Sequence, residues 1–287
     1  MANSASTISE SDEQPSPDAL RTGLDWAELR EALITQARVI HALMMRETLS
    51  RYGEHKMGFL WALIEPVLFV TLFVAMMSAM RSDSPGGMPL IPFMIAGIVP
   101  FTMFRNPMSE MRAAIGQNKT LLGFPQVSTF DVILARGLLE GAVLLFVFVL
   151  MLAVAYLIGF EFRVENPLGV LAACVALWAM GCGMGFILAC VTPIIPSVGQ
   201  VAGLLFGRPL MVTSGLFFTA ESVPEPFRTW LLYNPIMHLL ELLRSYFFYE
   251  FESSHGSWFY AGSWALGLLV FGLLLHQALR RRAIVGL

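Results

Sequence analysis

No charged residue occurs from Asn166 to Gly207, a run of forty-two residues. Its one interruption is the turn-forming stretch Thr192-Pro193-Ile194-Ile195-Pro196-Ser197. Each side of that turn, the second carried on to Phe218, is about long enough to cross a hydrocarbon layer of roughly 30 Å as a helix. Two such segments joined by a short uncharged turn make a membrane hairpin, for which a water-soluble fold of this size has no use. Hydrophobic residues are 56% and charged residues 14% of the 287, so the rest of the chain belongs to the same class.

Six spans are expected: Phe59–Met80, a short Pro89–Phe104 broken by Pro92 and Pro100, Ile133–Gly159, Pro167–Val191, Val198–Phe218 and Trp258–Leu279. Several of Trp61, Trp178, Trp258, Tyr156 and Tyr260 fall near span ends, as interfacial anchors do. Residues 1–20 are rich in Ser, Glu, Asp and Pro and lack an apolar core segment, which predicts a disordered cytoplasmic tail and not a signal peptide. Residues 21–58 are expected to hold an amphipathic interfacial helix, capped by Asp25 with Glu28, with Trp26, Leu29, Leu33, Ala37, Ile40 and Met44 at helical spacing. Residues 59–287 then form the transmembrane domain. With the amino terminus inside, thirteen of the eighteen Lys and Arg residues lie on the cytoplasmic side, Arg280, Arg281 and Arg282 among them. Only Arg81, Arg163, Arg228 and Arg244 lie opposite, so both termini are expected in the cytoplasm.

The long outer segment Glu221–Ser257 runs apolar from Trp230 to Phe248, is split by Asn234-Pro235 and carries His238, Glu241 and Arg244. Neither piece can span, so two short re-entrant or interfacial helices are expected, a placement tolerated where backbone lines a cavity. His238 and Glu241 could form an acid/base pair, or simply the polar face of such a helix.

Catalytic signatures are missing. Gly116-Gln117-Asn118-Lys119-Thr120 resembles the end of a phosphate-binding loop but lacks the earlier glycine and strand. Cys174, Cys182 and Cys190 recur every eight residues, drifting about 80° around a helix per step, and so share no face for a metal. Gly181, Gly183 and Gly185 sit mid-span, where close helix packing accounts for them. No cofactor or metal is expected in this chain, and no nucleic acid.

Charges inside the spans are few and informative. Arg208 interrupts the fifth span, where a lipid-facing cation costs at least about 2.5 kcal/mol. It should face either a carboxylate, with Glu65 the candidate, or a water-filled passage. Glu140 follows Arg136 by four residues and is the expected partner of that cation. Gly199, Gly203 and Gly207 form a small-residue stripe suited to packing within the chain or against a second copy. Arg46, Arg51, His55 and Lys56 make a basic collar before the first span, suited to lipid headgroups or to an anionic lipid-linked substrate. The stretch from Arg112 to Gly123, with Gln117, Asn118 and Lys119, suits a short helix that docks on a soluble partner.

A family resemblance rests on particular residues. Arg51-Tyr52-Gly53 with Leu60-Trp61-Ala62-Leu63-Ile64-Glu65-Pro66 resembles the entry to the first span of ABC-2 type export permeases. Gly97-Ile98-Val99-Pro100-Phe101 and Ser214-Gly215-Leu216-Phe217-Phe218 with Val223-Pro224 are similar to that family too. The block Tyr233-Asn234-Pro235-Ile236-Met237-His238-Leu239-Leu240-Glu241-Leu242-Leu243-Arg244 most resembles the transmembrane subunit of capsular polysaccharide exporters. The likeness runs from about Arg46 to the carboxyl terminus.

It implies an all-α polytopic inner-membrane protein, a homodimer of six-span subunits, each bound to a separate cytoplasmic ATPase that holds ATP and Mg. Two copies of that ATPase, a periplasmic co-polymerase or adaptor and an outer-membrane export protein are the implied partners. The implied cargo is a lipid-linked polysaccharide, and Arg208 would favour an acidic one. The first and fifth spans would line the path, with Trp61, Phe69, Phe73 and Arg208 as candidate lining residues. The helices around Asn234, Pro235, His238, Glu241 and Arg244 would form a periplasmic gate, and Arg112–Gly123 would couple to the ATPase. The turn Pro193–Ser197 lacks the charged sequence common in O-antigen permeases, which weakens that reading. Other cargoes (O-antigen, teichoic acid, a drug) and an integral-membrane enzyme on lipid-linked substrates are the alternatives.

Overall fold

The computed structural model describes residues 26–52, 58–79, 87–124, 127–160, 162–249 and 251–285, without the side chains of 51–52, 58–63, 77–79 and 280–285. All regular structure among them is helical: α1 (Trp26–Tyr52), α2 (Gly58–Ala79), α3 (Leu90–Gln117), α4 (Thr129–Ile158), α5 (Pro167–Val191), α6 (Pro196–Leu205), α7 (Arg208–Thr213), α8 (Phe227–Leu231), α9 (Pro235–Phe247) and α10 (Trp258–Val285). Two compact units divide within α1, Met1–Arg38 and Val39–Leu287. In the first unit Trp26 and Leu33 are exposed, and the expected cap Asp25 lies outside the described residues.

The second unit is built around α5. It packs most extensively on α3 and α10, with α9 and α4 beside them. Helices α3, α4, α5 and α10 are long and apolar enough to cross a membrane. Much of α3 and α5 is buried, whereas α4 and α10 expose most of their apolar surface. An apolar helix exposed along its length is at rest only in a solvent as apolar as itself.

The mid-span glycines of α5 do what small residues do at a helix crossing. A Cβ on Gly181 would collide with the main-chain carbonyl of Phe104 in α3, and one on Gly183 would lie 2.6 Å from the backbone at Leu268–Leu269 in α10. On α10, Gly272 answers at 2.6 Å from the Gly183 carbonyl oxygen. Backbone thus meets backbone on both sides of α5, as close membrane packing requires.

Two expectations need correction. The second span is not broken: α3 is continuous from Leu90 to Gln117 with Pro100 and Pro107 inside it. Pro92 falls in its first turn, where a missing N–H is harmless, and the helix runs thirteen residues past Phe104, through Arg105 and Arg112, to Gln117. The expected fifth span, Val198–Phe218, is instead two helices, α6 and α7, separated at Phe206–Gly207. Pro209 explains the break, because it lacks the N–H that would continue α6 and its ring crowds the carbonyl four residues earlier.

Between α7 and α10, the expected pair of short helices is present as α8 and α9. Asn234 caps α9 by accepting from Ile236 N at 3.0 Å, and Pro235 takes the first helical position, so the Asn-Pro pair both ends one helix and starts the next. At thirteen residues α9 is about 20 Å long, too short to cross.

Candidate functional site

The polar residues of α9 face inward. Arg244 is fully buried, and its guanidinium reaches over the turn that follows α7. Nη1 donates to the carbonyls of Gly215 at 2.6 Å and Phe218 at 3.1 Å, and Nη2 to that of Leu216 at 2.8 Å. The Phe93 ring lies beneath the guanidinium, 3.9 Å from its carbon, a cation–π contact in a dry setting. Gly215 adopts φ +72°, the left-handed region that glycine enters without penalty, and this turns three carbonyls toward one cation. Gly97 leaves room for it, since a Cβ there would sit 2.8 Å from Nη2 and 3.0 Å from the Leu216 carbonyl oxygen.

Glu241, one turn earlier on α9, is 1% exposed and closes the other half of the clasp. One carboxylate oxygen accepts from Ala220 N and the other from the Ser253 hydroxyl, each at 2.9 Å. Burial pulls the Arg244 pKa down to about 10 against the opposing pull of Glu241, so the cation remains charged at neutral pH. Asn234 completes the arrangement by donating to Ser214 Oγ at 2.9 Å. His238 meets the Leu232 carbonyl through Nε2 at 2.8 Å and packs 4.9 Å from the Tyr260 ring. Both Glu241 oxygens accept protein hydrogen bonds, and His238 holds the Leu232 carbonyl through Nε2, so both residues serve the fold.

The turn held by this clasp carries Phe217, whose ring stacks on Phe73 of α2 at 4.1 Å. Phe69 stacks on Phe73 at 6.2 Å. Two of the candidate path residues are therefore joined to the clasp through Phe217, while the Trp61 side chain lies outside the described residues. Arg208 begins α7 and is exposed. Its expected partner is engaged elsewhere: Glu65 pairs with Arg105 of α3 at 3.3 Å.

At the opposite end of α4, near its start, a second polar cluster forms. Arg136 Nη2 lies 2.9 Å from Glu47 of α1 and Nη1 lies 3.8 Å from Glu110 of α3. These contacts reach beyond the expected intrahelical partner Glu140 and join three helices, because the buried cation meets acids on neighbouring elements. Arg46 donates to Asn118 Oδ1 at 3.1 Å, and Asn118 Nδ2 donates to the Ala114 carbonyl at 3.0 Å. One residue of the expected basic collar and one of the expected coupling segment are therefore in direct contact. The Arg51 side chain and all of His55 and Lys56 lie outside the described residues.

Arg112 donates to the Gly199 carbonyl at 2.6 Å and so ties the end of α3 to the start of α6. Within the small-residue stripe only Gly199 meets another element closely. Gly203 faces open space, and Gly207 meets only the Gly203–Leu204 backbone of its own segment. Gln117 ends α3, and Lys119 follows in the turn that leads to the short 3-10 helix Leu121–Gly123.

Sequence reasoning missed Phe93, Ser253, Glu47 and Glu110. It also missed His276 of α10, which is buried and lies 2.9 Å from Thr129 Oγ1. A polar residue inside an apolar helix is the signal that could have marked His276; the others carry none.

A family model described as ABC-2 type transporter matches residues 38–248, from the middle of α1 through the end of α9. The chain is similar to the polysialic acid transport protein KpsM of Escherichia coli, 27% identical over 248 residues covering 86% of this chain and 96% of that protein. It is also similar to the capsule polysaccharide export inner-membrane protein CtrC of Neisseria meningitidis serogroup B, 30% identical over 245 residues, 85% of this chain and 92% of the relative. A third relative is the capsule polysaccharide export inner-membrane protein BexB of Haemophilus influenzae, 30% identical over 251 residues, 88% and 94% of the two chains.

Proposed function

This chain belongs to the ABC-2 type transporter family, and from that premise we propose that it is the transmembrane subunit of an ATP-driven exporter moving lipid-linked capsular polysaccharide across the inner membrane. One observation carries the reading: the chain matches nearly the full length of inner-membrane proteins named for capsule polysaccharide export. The subunit itself contributes a path and not chemistry. ATP and Mg are bound by a separate cytoplasmic ATPase, two copies serving a homodimer, with a periplasmic adaptor and an outer-membrane export protein beyond.

Topology follows the charge distribution. Helices α2, α3, α4, α5 and α10 and the α6–α7 pair supply six crossings, with both termini in the cytoplasm. The cluster of Arg46, Asn118, Arg136, Glu47 and Glu110 then lies on the cytoplasmic side. There it can pass a push on the α3–α4 connection, at Gln117, Asn118 and Lys119, to α1 and, through Arg112, to α6. The clasp around Arg244 lies on the periplasmic side and fixes the turn that bears Phe217. Between the two ends, exposed Arg208 is a cation at membrane depth. Lipid would penalise it, so it faces a water-filled path between two protomers, where it attracts acidic sugars. Phe73 and Phe69 offer apolar ring faces against which sugars can lie.

Deletion of this chain in its own cell tests the reading. Polysaccharide is expected to accumulate inside the cell and vanish from the surface. Normal surface polysaccharide in the deletion strain would refute it.

A further inference from the structure

One ion pair in the crossing helices is half open to its surroundings. Glu65 of α2 and Arg105 of α3 meet through a single contact, Nη2 to Oε1 at 3.3 Å, with the glutamate side chain 50% exposed and the arginine side chain 31%. A hydrocarbon layer of roughly 30 Å takes up about twenty residues of a helix. A layer entered at Leu90 therefore ends at about residue 110 and contains Arg105. Lipid penalises charges left open to it at that depth, and water does not, so the open side of the pair belongs on the water-filled path. Two contacts set the register of α3 against α6. Arg112 donates to the Gly199 carbonyl at 2.6 Å, and farther out the Phe104 ring meets that of Phe206 at 6.5 Å. Arg105 accordingly stands level with the joint at Phe206–Gly207, beside which α7 begins with Arg208.

We propose, on the reading of the chain as a polysaccharide exporter, that Arg105 is a second anion-binding residue of the path and that Glu65 is its built-in competitor, displaced when an acidic group of the polymer arrives. A guanidinium presents five N–H donors in a planar fork that suits both oxygens of one carboxylate. Among the described residues Glu65 engages only Nη2, near the long end of the hydrogen-bonding range, which leaves the rest of the fork to an incoming anion. A single contact between half-exposed partners is weak and exchanges readily. Arg112, by contrast, is committed to the Gly199 carbonyl, and Arg136 and Arg244 are buried. A neutral sugar gains nothing by displacing Glu65, because it supplies no charge to Arg105. An acidic sugar replaces the contact that it breaks. When the sugar moves on, Glu65 returns to the cation, which suits a polymer that must pass and not stay.

Binding to the full chain with its ATPase partner in lipid nanodiscs tests this, with labelled hyaluronan hexasaccharide as the acidic probe and maltohexaose as the neutral one. Glu65→Gln removes the competitor and should tighten binding of the acidic probe about threefold or more. Arg105→Gln should weaken it by a similar factor, and the double variant should bind as weakly as Arg105→Gln alone. The neutral probe should respond to none of these changes. Both side chains are half-exposed and glutamine keeps the shape of glutamate, so the variants retain the fold. A pair with only a structural role gives a different pattern, in which each single change weakens binding and the double variant restores it. That pattern, or acidic binding unchanged by Glu65→Gln, would overturn the proposal. Failure of the exporter reading shows elsewhere, as normal surface polysaccharide in the deletion strain, and leaves the competition between Glu65 and the acidic probe still measurable.

Discussion

Arg244 and Arg136 are both buried cations, yet they are held in different ways. Arg244 is bonded to three main-chain carbonyls of one turn and lies on one aromatic ring, with its acidic neighbour Glu241 bonded elsewhere. Arg136 is held by the carboxylates of Glu47 and Glu110, on two other helices. Carbonyls in a turn cannot be exchanged without unfolding the turn. Carboxylates on long side chains can change partner as helices slide, with modest cost where water reaches them. The first end of the molecule is therefore built to keep one shape and the second to tolerate movement, the division that a transporter driven from one side needs.

Substitution should separate the two ends, beginning with the clasp. Arg244→Leu removes the cation and leaves carbonyls and Glu241 in a dry site, at about 3–5 kcal/mol. The outcome expected is loss of the protein from membranes, or a large fall in its melting temperature in detergent. Survival of Arg244→Leu at native levels would erase the distinction between the ends. Arg136→Leu should cost less, about 2–3 kcal/mol, because Glu110 is 35% and Glu47 13% exposed, so both acids keep some contact with water. A thermal shift of the purified variant reads this, and a loss equal to that of Arg244→Leu would show both ends to be equally rigid. Arg46→Ala breaks a single contact with Asn118 and should cost about 0.5–1.5 kcal/mol. Its larger effect should fall on coupling, seen as ATP hydrolysis by the partner that is no longer matched by export. Arg208→Ala should change stability least, within about 0.5 kcal/mol, because the side chain is exposed. Surface polysaccharide should nevertheless drop, and unchanged export would remove Arg208 from the proposed path.

Much of this architecture could be read from the chain. The glycines of α5 were legible as packing residues, since three small residues in the middle of an apolar span admit little else. The Asn234-Pro235 junction was legible because its cap and first-turn chemistry are local. Spacing placed His238, Glu241 and Arg244 on one side of a helix, but periodicity does not say whether that side meets water or protein. Here it meets carbonyls that lie 26–29 residues earlier for Arg244 and a serine hydroxyl twelve residues later for Glu241. Neither contact has a sequence signature. At Arg136 the acid one turn along the same helix was legible from its spacing, whereas the acids of α1 and α3 that meet the cation carry no sequence signature. The break between α6 and α7 was misread because uninterrupted apolarity outweighed Pro209 in the reading; in the fold the missing N–H prevails.

The central claim is that this chain forms half of a passage powered by another polypeptide. Purified protein reconstituted in liposomes, with and without its ATPase partner, addresses it through the ATP-dependent movement of labelled lipid-linked polysaccharide. The account predicts transport only when both proteins and ATP are present, and none when the partner is inactivated by mutation. ATP hydrolysis or polysaccharide movement by the chain alone would contradict it.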